Sequence, residues 1–233
     1  MIKFRNEISN REWIFGSLLI TAMIWIYFLF PLSSQSEEPL RLININYDYW
    51  HYFLLFPQNP KSLTAIFTCH FFHINEHHLS VNLSSLIMFM IILAKISDRF
   101  IGLILSMMLI SGTLIWLFHP VVNEHTNVLG ASALIFCLAS YIFLRVCFNI
   151  DFHRSIGDKY SLKASKLILI NAWVSFVGGS LLLANREMIL TGINILDLKQ
   201  GVSIHGHLYG FIAGILIFAA EVIYVSQFRK LPG

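Results

Sequence analysis

The chain has 233 residues, of which 56% are hydrophobic and only 12% are charged. Soluble domains carry roughly twice that charged fraction, so the composition excludes an ordinary soluble domain, and it also excludes disordered, fibrous and disulfide-scaffold proteins. A net charge of +3 does not indicate a nucleic-acid surface, and three scattered cysteines form no CxxC metal motif.

Six apolar runs are long enough to cross a bilayer, which takes about 20 residues in a helix. They occupy residues 13–32, 77–94, 100–118, 127–146, 167–183 and 202–224. The first run resembles a signal peptide, but it has a spanning length and no A-x-A cleavage site follows it. The sequence therefore predicts an all-α, polytopic membrane protein with a six-span domain at 13–225, an outer loop at 33–76 and flanking cytoplasmic segments at 1–12 and 226–233.

The positions of Lys and Arg predict how the chain is oriented, because cytoplasmic loops retain positive charge during insertion. With the N-terminus inside, twelve of the sixteen basic residues lie on the inner side. The outer side keeps only Arg41, Lys61, Arg186 and Lys199. We therefore expect both termini to be cytoplasmic. The lack of extra domains or a seventh span favours a bacterial cytoplasmic (inner) membrane.

The second span carries polar side chains at its outer end, where each needs a partner or a purpose. Its beginning, HFFHINEHHLSVN, supplies His70, His73, His77, His78 and Asn82. His78 and Asn82 are four residues apart and share one helix face. Taken alone, the pair is as consistent with hydrogen bonding between helices as with a catalytic role.

The fourth span contains Gly130-Ala131-Ser132-Ala133. Ser132 is expected about five residues, or roughly 7.5 Å, below the outer edge of that span. A lone serine in a membrane helix usually bonds the carbonyl four residues before it. Ser132 by itself is therefore weak evidence of function.

The sixth span reads SIHGHLYGFIAG and offers His205 and His207 as candidate bases. Its glycines Gly206, Gly210 and Gly214 form a small-residue stripe that lets another helix approach closely. At about 100° per residue, His207 lies near this stripe and His205 points away from it. We therefore expect His207, rather than His205, to meet another helix at a depth similar to that of Ser132.

Ser132 and His207 together form a plausible catalytic pair. His207 can accept the hydroxyl proton while Ser132 attacks a carbonyl, and it can later protonate the leaving amine. No Asp or Glu lies in the outer half of any span except Glu76 at the mouth of the second, which favours a dyad over a triad. His78, Asn82 and the Ser132 amide are candidate donors to the oxyanion.

These motifs resemble, in order and on the expected spans, the rhomboid family of intramembrane serine proteases. The family signature is matched by His73, His78 and Asn82, by Gly130-Ala131-Ser132, and by His207, Gly210 and Gly214. The resemblance implies that Ser132 is the nucleophile and His207 the general base and acid. It also implies that His73 supports the mouth of the site and that Phe136 orients His207 in place of a carboxylate.

Two positions depart from the family pattern. The glycine that usually follows the serine is Ala133, and the Trp-Arg pair common in the outer loop reads Thr64-Ala65. The first change affects the pocket beside the nucleophile or the contact between the fourth and sixth spans. The second affects the packing of the outer loop. Neither removes a group that the chemistry requires.

The resemblance implies an endopeptidase that opens to the lipid bilayer, admits a membrane-spanning helix of its substrate and cleaves it near the outer face. Residues that unwind a helix, such as Gly and Pro, are expected to favour cleavage. Residues 185–201 are the candidate mobile cap. The stretch HINEHHLSVN is similar to the rhombosortase branch of the family. No cofactor, metal or nucleic acid is expected.

Two alternatives remain open from the residues. A metal-dependent membrane hydrolase would use the dense histidines around Glu76, although the sequence lacks H-E-x-x-H and a second ligand cluster. A rhomboid-like protein could instead bind membrane clients without cleaving them. Such relatives usually lack the Ser or the His, and this chain has both.

Overall fold

A computed structural model describes residues 7–29, 63–73, 76–122, 130–148 and 204–228. In this part of the chain six helices occur and no strand, which confirms the predicted all-α class. The helices are α1 (Asn10–Leu29), α2 (Ala65–Thr68), α3 (Glu76–Ile96), α4 (Phe100–Val122), α5 (Ser132–Cys147) and α6 (Ile204–Phe228).

Four of the described helices are long and apolar enough to cross a membrane. They are α1, α3, α4 and α6, which correspond to the first, second, third and sixth predicted spans. Helix α5 is apolar but shorter, at 16 residues. The fifth predicted span and the candidate cap at 185–201 lie outside the described residues, as does most of the predicted outer loop.

Helix α1 begins three residues earlier than its predicted span because a capping box closes its N-terminus. The Ser9 amide donates to Glu12 Oε2 at 2.8 Å, and the Glu12 amide donates to Ser9 Oγ at 3.4 Å. Helix α1 packs against α3 and α4. Its other face leaves large apolar side chains more than half exposed: Trp13, Ile14, Leu18, Trp25 and Phe28. Such a face suits lipid rather than water.

Helix α5 is the most enclosed of the described helices. It packs against α3, α4 and α6, and every residue from Ala133 to Ile142 is buried. Leu134 and Leu138 join Leu86 and Leu93 of α3 in one apolar core. The residue at the start of α5 is therefore held by packing on several sides.

Helices α5 and α6 run in the same direction at close range. Gly210 lies against the carbonyl of Ala133, and Gly214 lies against Ser140 and the carbonyl of Cys137. A Cβ at either glycine would overlap these atoms. Because glycine has no side chain, the two backbones can touch here, as they do at small residues in membrane helix pairs.

Candidate active site

The turn that leads into α5 is built on Gly130. Its φ of 101° lies in the left-handed region that glycine adopts without strain. Its amide donates to the Cys69 carbonyl at 2.8 Å. A Cβ at this position would lie 2.7 Å from Cε1 of His78. Both the backbone conformation and the available space therefore require glycine here.

This turn places Ser132 at the first position of α5. We expected it about five residues inside the fourth span, but the conformation of Gly130 is not helical and delays the start of the described helix. The amides of a helix's first turn have no acceptor within the helix, and they favour negative charge. The half-buried Ser132 side chain therefore stands beside its own amide at the positive end of α5.

His78 and Asn82 of α3 lie directly beside this turn. The ideal Cβ position of Gly130 is 3.1 Å from Nε2 of His78 and 3.2 Å from Nδ2 of Asn82. Asn82 is 5% exposed, and its Nδ2 has no hydrogen-bond partner among the described residues. Leaving a buried donor unsatisfied costs free energy in the resting protein. The same donor would be available to an anion bound near Ser132.

His207 of α6 stacks on Phe136 of α5. Their ring centroids are 4.4 Å apart and the ring planes differ by 13°. Phe136 is four residues after Ser132, so both side chains share one face of α5. The stack therefore brings the His207 imidazole to the helix face that carries the Ser132 hydroxyl.

No hydrogen bond joins Ser132 to His207 within the described residues. Catalytic hydrogen bonds in unliganded enzymes are often long and tighten only when substrate binds. The side chains of His77 and His205 lie outside the described part of the structure. Helix geometry favoured His207 over His205 as the base. The structure adds the stack of His207 on Phe136, and it describes no contact of the His205 side chain that could be compared with it.

His73 connects the segment before α3 to the turn before α5. Its Nδ1 donates to the Phe71 carbonyl at 3.2 Å, and its Nε2 accepts from the Ala131 amide at 3.5 Å. The ring also meets His78 edge to face at 5.2 Å. Burial, with a smaller contribution from His78, lowers the pKa of His73 to about 4. At neutral pH the ring is uncharged, as its role as an acceptor requires.

His70 was grouped with the other histidines by sequence, but the structure gives it a different position. Its side chain is fully buried and its Nε2 donates to the Met108 carbonyl of α4 at 3.1 Å. Burial lowers its pKa to about 4. His70 therefore attaches the segment after α2 to α4 and does not face Ser132 in the described contacts.

The two departures from the family pattern meet in one place. Ala133 and Ala65 are both about 1% exposed and belong to the same apolar cluster. The other buried members of that cluster are Cys69, Ile115 and Tyr209. The Ala133 methyl thus lies in one cluster with Ala65 of α2, while Gly210 faces the Ala133 carbonyl. The contact between α5 and α6 is retained with alanine at position 133.

The stripe on α6 has a polar continuation that the sequence did not predict. Ser140 Oγ donates to the Phe211 carbonyl at 3.0 Å. Further along, Tyr141 and Arg145 of α5 meet Glu221 of α6. A glutamate in an apolar span is the signal that could have pointed to this cluster.

The histidine-rich segment does not form a metal site in the part of the chain that is described. Among the side chains that the structure describes, which do not include those of His77 and His205, no three His, Cys, Asp or Glu residues are grouped closely enough to hold a metal ion. The metal-dependent alternative needs such a group, and the described side chains do not supply it.

The comparisons with known proteins give one family. The family model of the Rhomboid domain matches residues 60–223 of the chain, a range that contains every candidate site residue named above. No curated protein matches the chain significantly.

Proposed function

Because this chain belongs to the rhomboid family, whose members act on membrane-protein substrates within the bilayer, we propose that it is an intramembrane serine endopeptidase. Ser132 is the nucleophile and His207 is the general base and acid. The observation that carries the proposal is the arrangement around the first turn of α5. The nucleophile, the helix amides, the buried amide of Asn82 and the stacked imidazole converge there.

In the acylation step, Ser132 Oγ attacks the carbonyl carbon of the scissile peptide bond, and its proton passes to His207. The carbonyl oxygen becomes negatively charged and accepts hydrogen bonds from the Ser132 amide and Asn82 Nδ2, with His78 beside them. The intermediate then collapses, and His207 protonates the leaving amine. Water, with its proton accepted by His207, hydrolyses the acyl-enzyme and regenerates the serine.

The role of Phe136 is to orient the base. A serine–histidine pair without a carboxylate needs another way to fix the imidazole plane. The parallel stack at 4.4 Å supports this role for Phe136, and the close contact at Gly210 fixes the backbone one turn further along.

The proposed substrate is a membrane protein with a transmembrane helix that enters from the lipid bilayer. We propose cleavage near the outer face of a bacterial inner membrane, with both termini of the enzyme in the cytoplasm. This orientation follows from the distribution of basic residues. A rhombosortase-like preference for a C-terminal sorting helix stays a prediction.

A fluorophosphonate probe tests the proposal without knowledge of the substrate, because it reacts with an activated serine. The parent protein, purified in detergent, is expected to be labelled, and Ser132→Ala and His207→Ala are expected to abolish labelling. Ser84→Ala is the matched control, since Ser84 is an exposed serine that donates to the Ser80 carbonyl within α3. It should label at the parental rate.

The opposite result is equally informative. A folded parent protein that is not labelled, or labelling that persists in His207→Ala, would contradict the dyad. Client binding that is unchanged in Ser132→Ala, without any cleavage product from the parent protein, would support the non-catalytic alternative.

A further inference from the structure

A charged cluster joins α5 and α6 at the end away from Ser132. Arg145 Nη1 donates to the Tyr141 hydroxyl at 2.8 Å, and that hydroxyl donates to Glu221 Oε2. Arg145 Nη1 also lies 3.7 Å from Glu221 Oε1. The three side chains thus form a chain of hydrogen bonds from a cation through a phenol to an anion. We call these three residues the inner clasp.

The inner clasp is shielded from solvent. Arg145 and Glu221 are 6% and 12% exposed by side chain, and Tyr141 is fully buried. Charged groups inside an apolar span are costly unless they are paired, and removing one partner leaves the other charge uncompensated. The contact therefore favours the one helix arrangement in which all three groups meet.

The glycine contacts nearer to Ser132 fix how closely the helices approach, because small residues such as Gly210 let the neighbouring backbone come near. The hydrogen bond from Ser140 Oγ to the Phe211 carbonyl also joins the two helices. A shift of α6 by one residue would move Glu221 about 1.5 Å along the axis and turn it about 100° away from its partners. The inner clasp, which needs three side chains from the two helices to meet, is thus sensitive to the register of α6 on α5.

The same two helices carry the proposed dyad. Ser132 begins α5 thirteen residues before Arg145, and His207 lies on α6 fourteen residues before Glu221. Both separations correspond to about 20 Å of helix. Because the helices are parallel, an axial shift or rotation at the inner clasp moves His207 relative to Ser132 by a similar amount.

We propose that Arg145, Tyr141 and Glu221 are positioning residues that set the register of α6 on α5 and thereby hold His207 against Ser132. This inference rests on the proposed function. The three residues touch no reacting atom and act through the two helices.

The test compares labelling rates with a fluorophosphonate probe in folded, detergent-purified protein, at a temperature well below the unfolding midpoint of every variant. Glu221→Gln should lower the labelling rate constant about 10-fold or more, since an error of about 1 Å in geometry can cost about 100-fold. Tyr141→Phe should lower it in the same direction. The exchange of charges in Arg145→Glu with Glu221→Arg should restore most of the rate.

Met23→Ala is the control for a general loss of stability. Met23 is fully buried on α1, which packs against α3 and α4. This variant should unfold at a lower temperature yet label at the parental rate. Parental labelling in Glu221→Gln, or a charge-exchange variant that is labelled as slowly as Glu221→Gln, would overturn the proposal while leaving the dyad intact.

A second measurement reports the register without activity. One spin label is placed at Cys147, which is exposed at the end of α5. The other is placed on α6 at position 220, where the exposed Ala220 is replaced in Ala220→Cys. Glu221→Gln should broaden or shift the distance distribution, and the charge exchange should narrow it again. If the fluorophosphonate probe does not label the parent protein, the proposed function fails. An unchanged distance distribution overturns the inner clasp itself.

Discussion

Asn82 combines a structural cost with a proposed catalytic role. Its side-chain nitrogen is buried and has no hydrogen-bond partner among the described residues, although it lies beside the turn that carries Ser132. An unsatisfied buried donor weakens the resting fold, whereas the same donor stabilises an oxyanion. Activity and stability should therefore respond to its removal in opposite directions.

Replacing Asn82 with leucine tests this opposition. Asn82→Leu should lower the labelling or cleavage rate by about 100- to 1000-fold, as the loss of one oxyanion donor does. Its free energy of unfolding should be unchanged or higher, because an unsatisfied polar group costs about 1–3 kcal/mol. Rates and thermal unfolding are measured on the same samples, with Ser84→Ala as control. A variant that is both destabilised and fully active would contradict the assignment.

His70 predicts a pH dependence of stability. Its pKa in the folded protein is about 4, below the ordinary value of about 6.5, so the unfolded chain binds the proton more readily. Stability from this residue is complete above the ordinary pKa and is lost as the pH falls toward 4. His70→Gln, which keeps a donor for the Met108 carbonyl, should therefore lose less stability over this interval.

The measurement for His70 is the unfolding temperature as a function of pH. The parent and His70→Gln should unfold at similar temperatures above the ordinary histidine pKa and diverge below it. His73 has the same direction of shift and should leave some acid sensitivity in the variant. Identical acid profiles would show that His70 does not contribute.

The contact between α5 and α6 depends on glycines, because they have no side chain to separate the two backbones. Gly210→Ala would place a methyl group onto the Ala133 carbonyl. We expect the helices to separate, with a loss of about 1–3 kcal/mol, which is typical of overpacking, and with greatly reduced labelling because His207 moves with α6.

Gly102→Ala is the matched control for this substitution. Gly102 is exposed on α4 and a Cβ there meets no atom within 4 Å. Because alanine favours a helix by about 1 kcal/mol over glycine, this variant should be as stable as the parent or more so. Equal effects of the two substitutions on labelling would argue against a specific contact at Gly210.

The elements also show what sequence could predict. Hydropathy located α1, α3, α4 and α6, because a run of apolar residues must leave water wherever it occurs. The start of α5 differed from its prediction because it depends on the φ angle of Gly130, which composition does not encode. The contact between Arg145 and Glu221 joins residues 76 positions apart, so it required knowledge of helix packing.

Some site residues could also be predicted from the sequence, whereas others needed the structure. The family resemblance was enough to propose Phe136 beside His207, and the stack of the two rings agrees with it. The unsatisfied amide of Asn82 and the separate attachment of His70 to α4 were not predictable. Each depends on which atoms lie nearby in three dimensions.

The proposed orientation predicts which residues face each side of the membrane. Leu63, before α2, is 66% exposed and should lie outside, whereas Asp98, between α3 and α4, is exposed and should lie inside. In a Cys147→Ser background, Leu63→Cys should react with a membrane-impermeant maleimide in intact cells. Asp98→Cys should react only after permeabilisation, and the reverse pattern would invert the topology.

The enclosure of α5 also has a consequence for the depth of Ser132 in the membrane. Its 16 residues extend about 24 Å, less than the hydrocarbon thickness of about 30 Å. A helix surrounded by other helices need not match that thickness, because lipid does not solvate it. The Ser132 hydroxyl therefore keeps its depth relative to the protein when the bilayer thickens or thins. Under the proposed function, a thicker membrane would change the depth of a substrate helix relative to Ser132. The cleavage site would then shift along that helix.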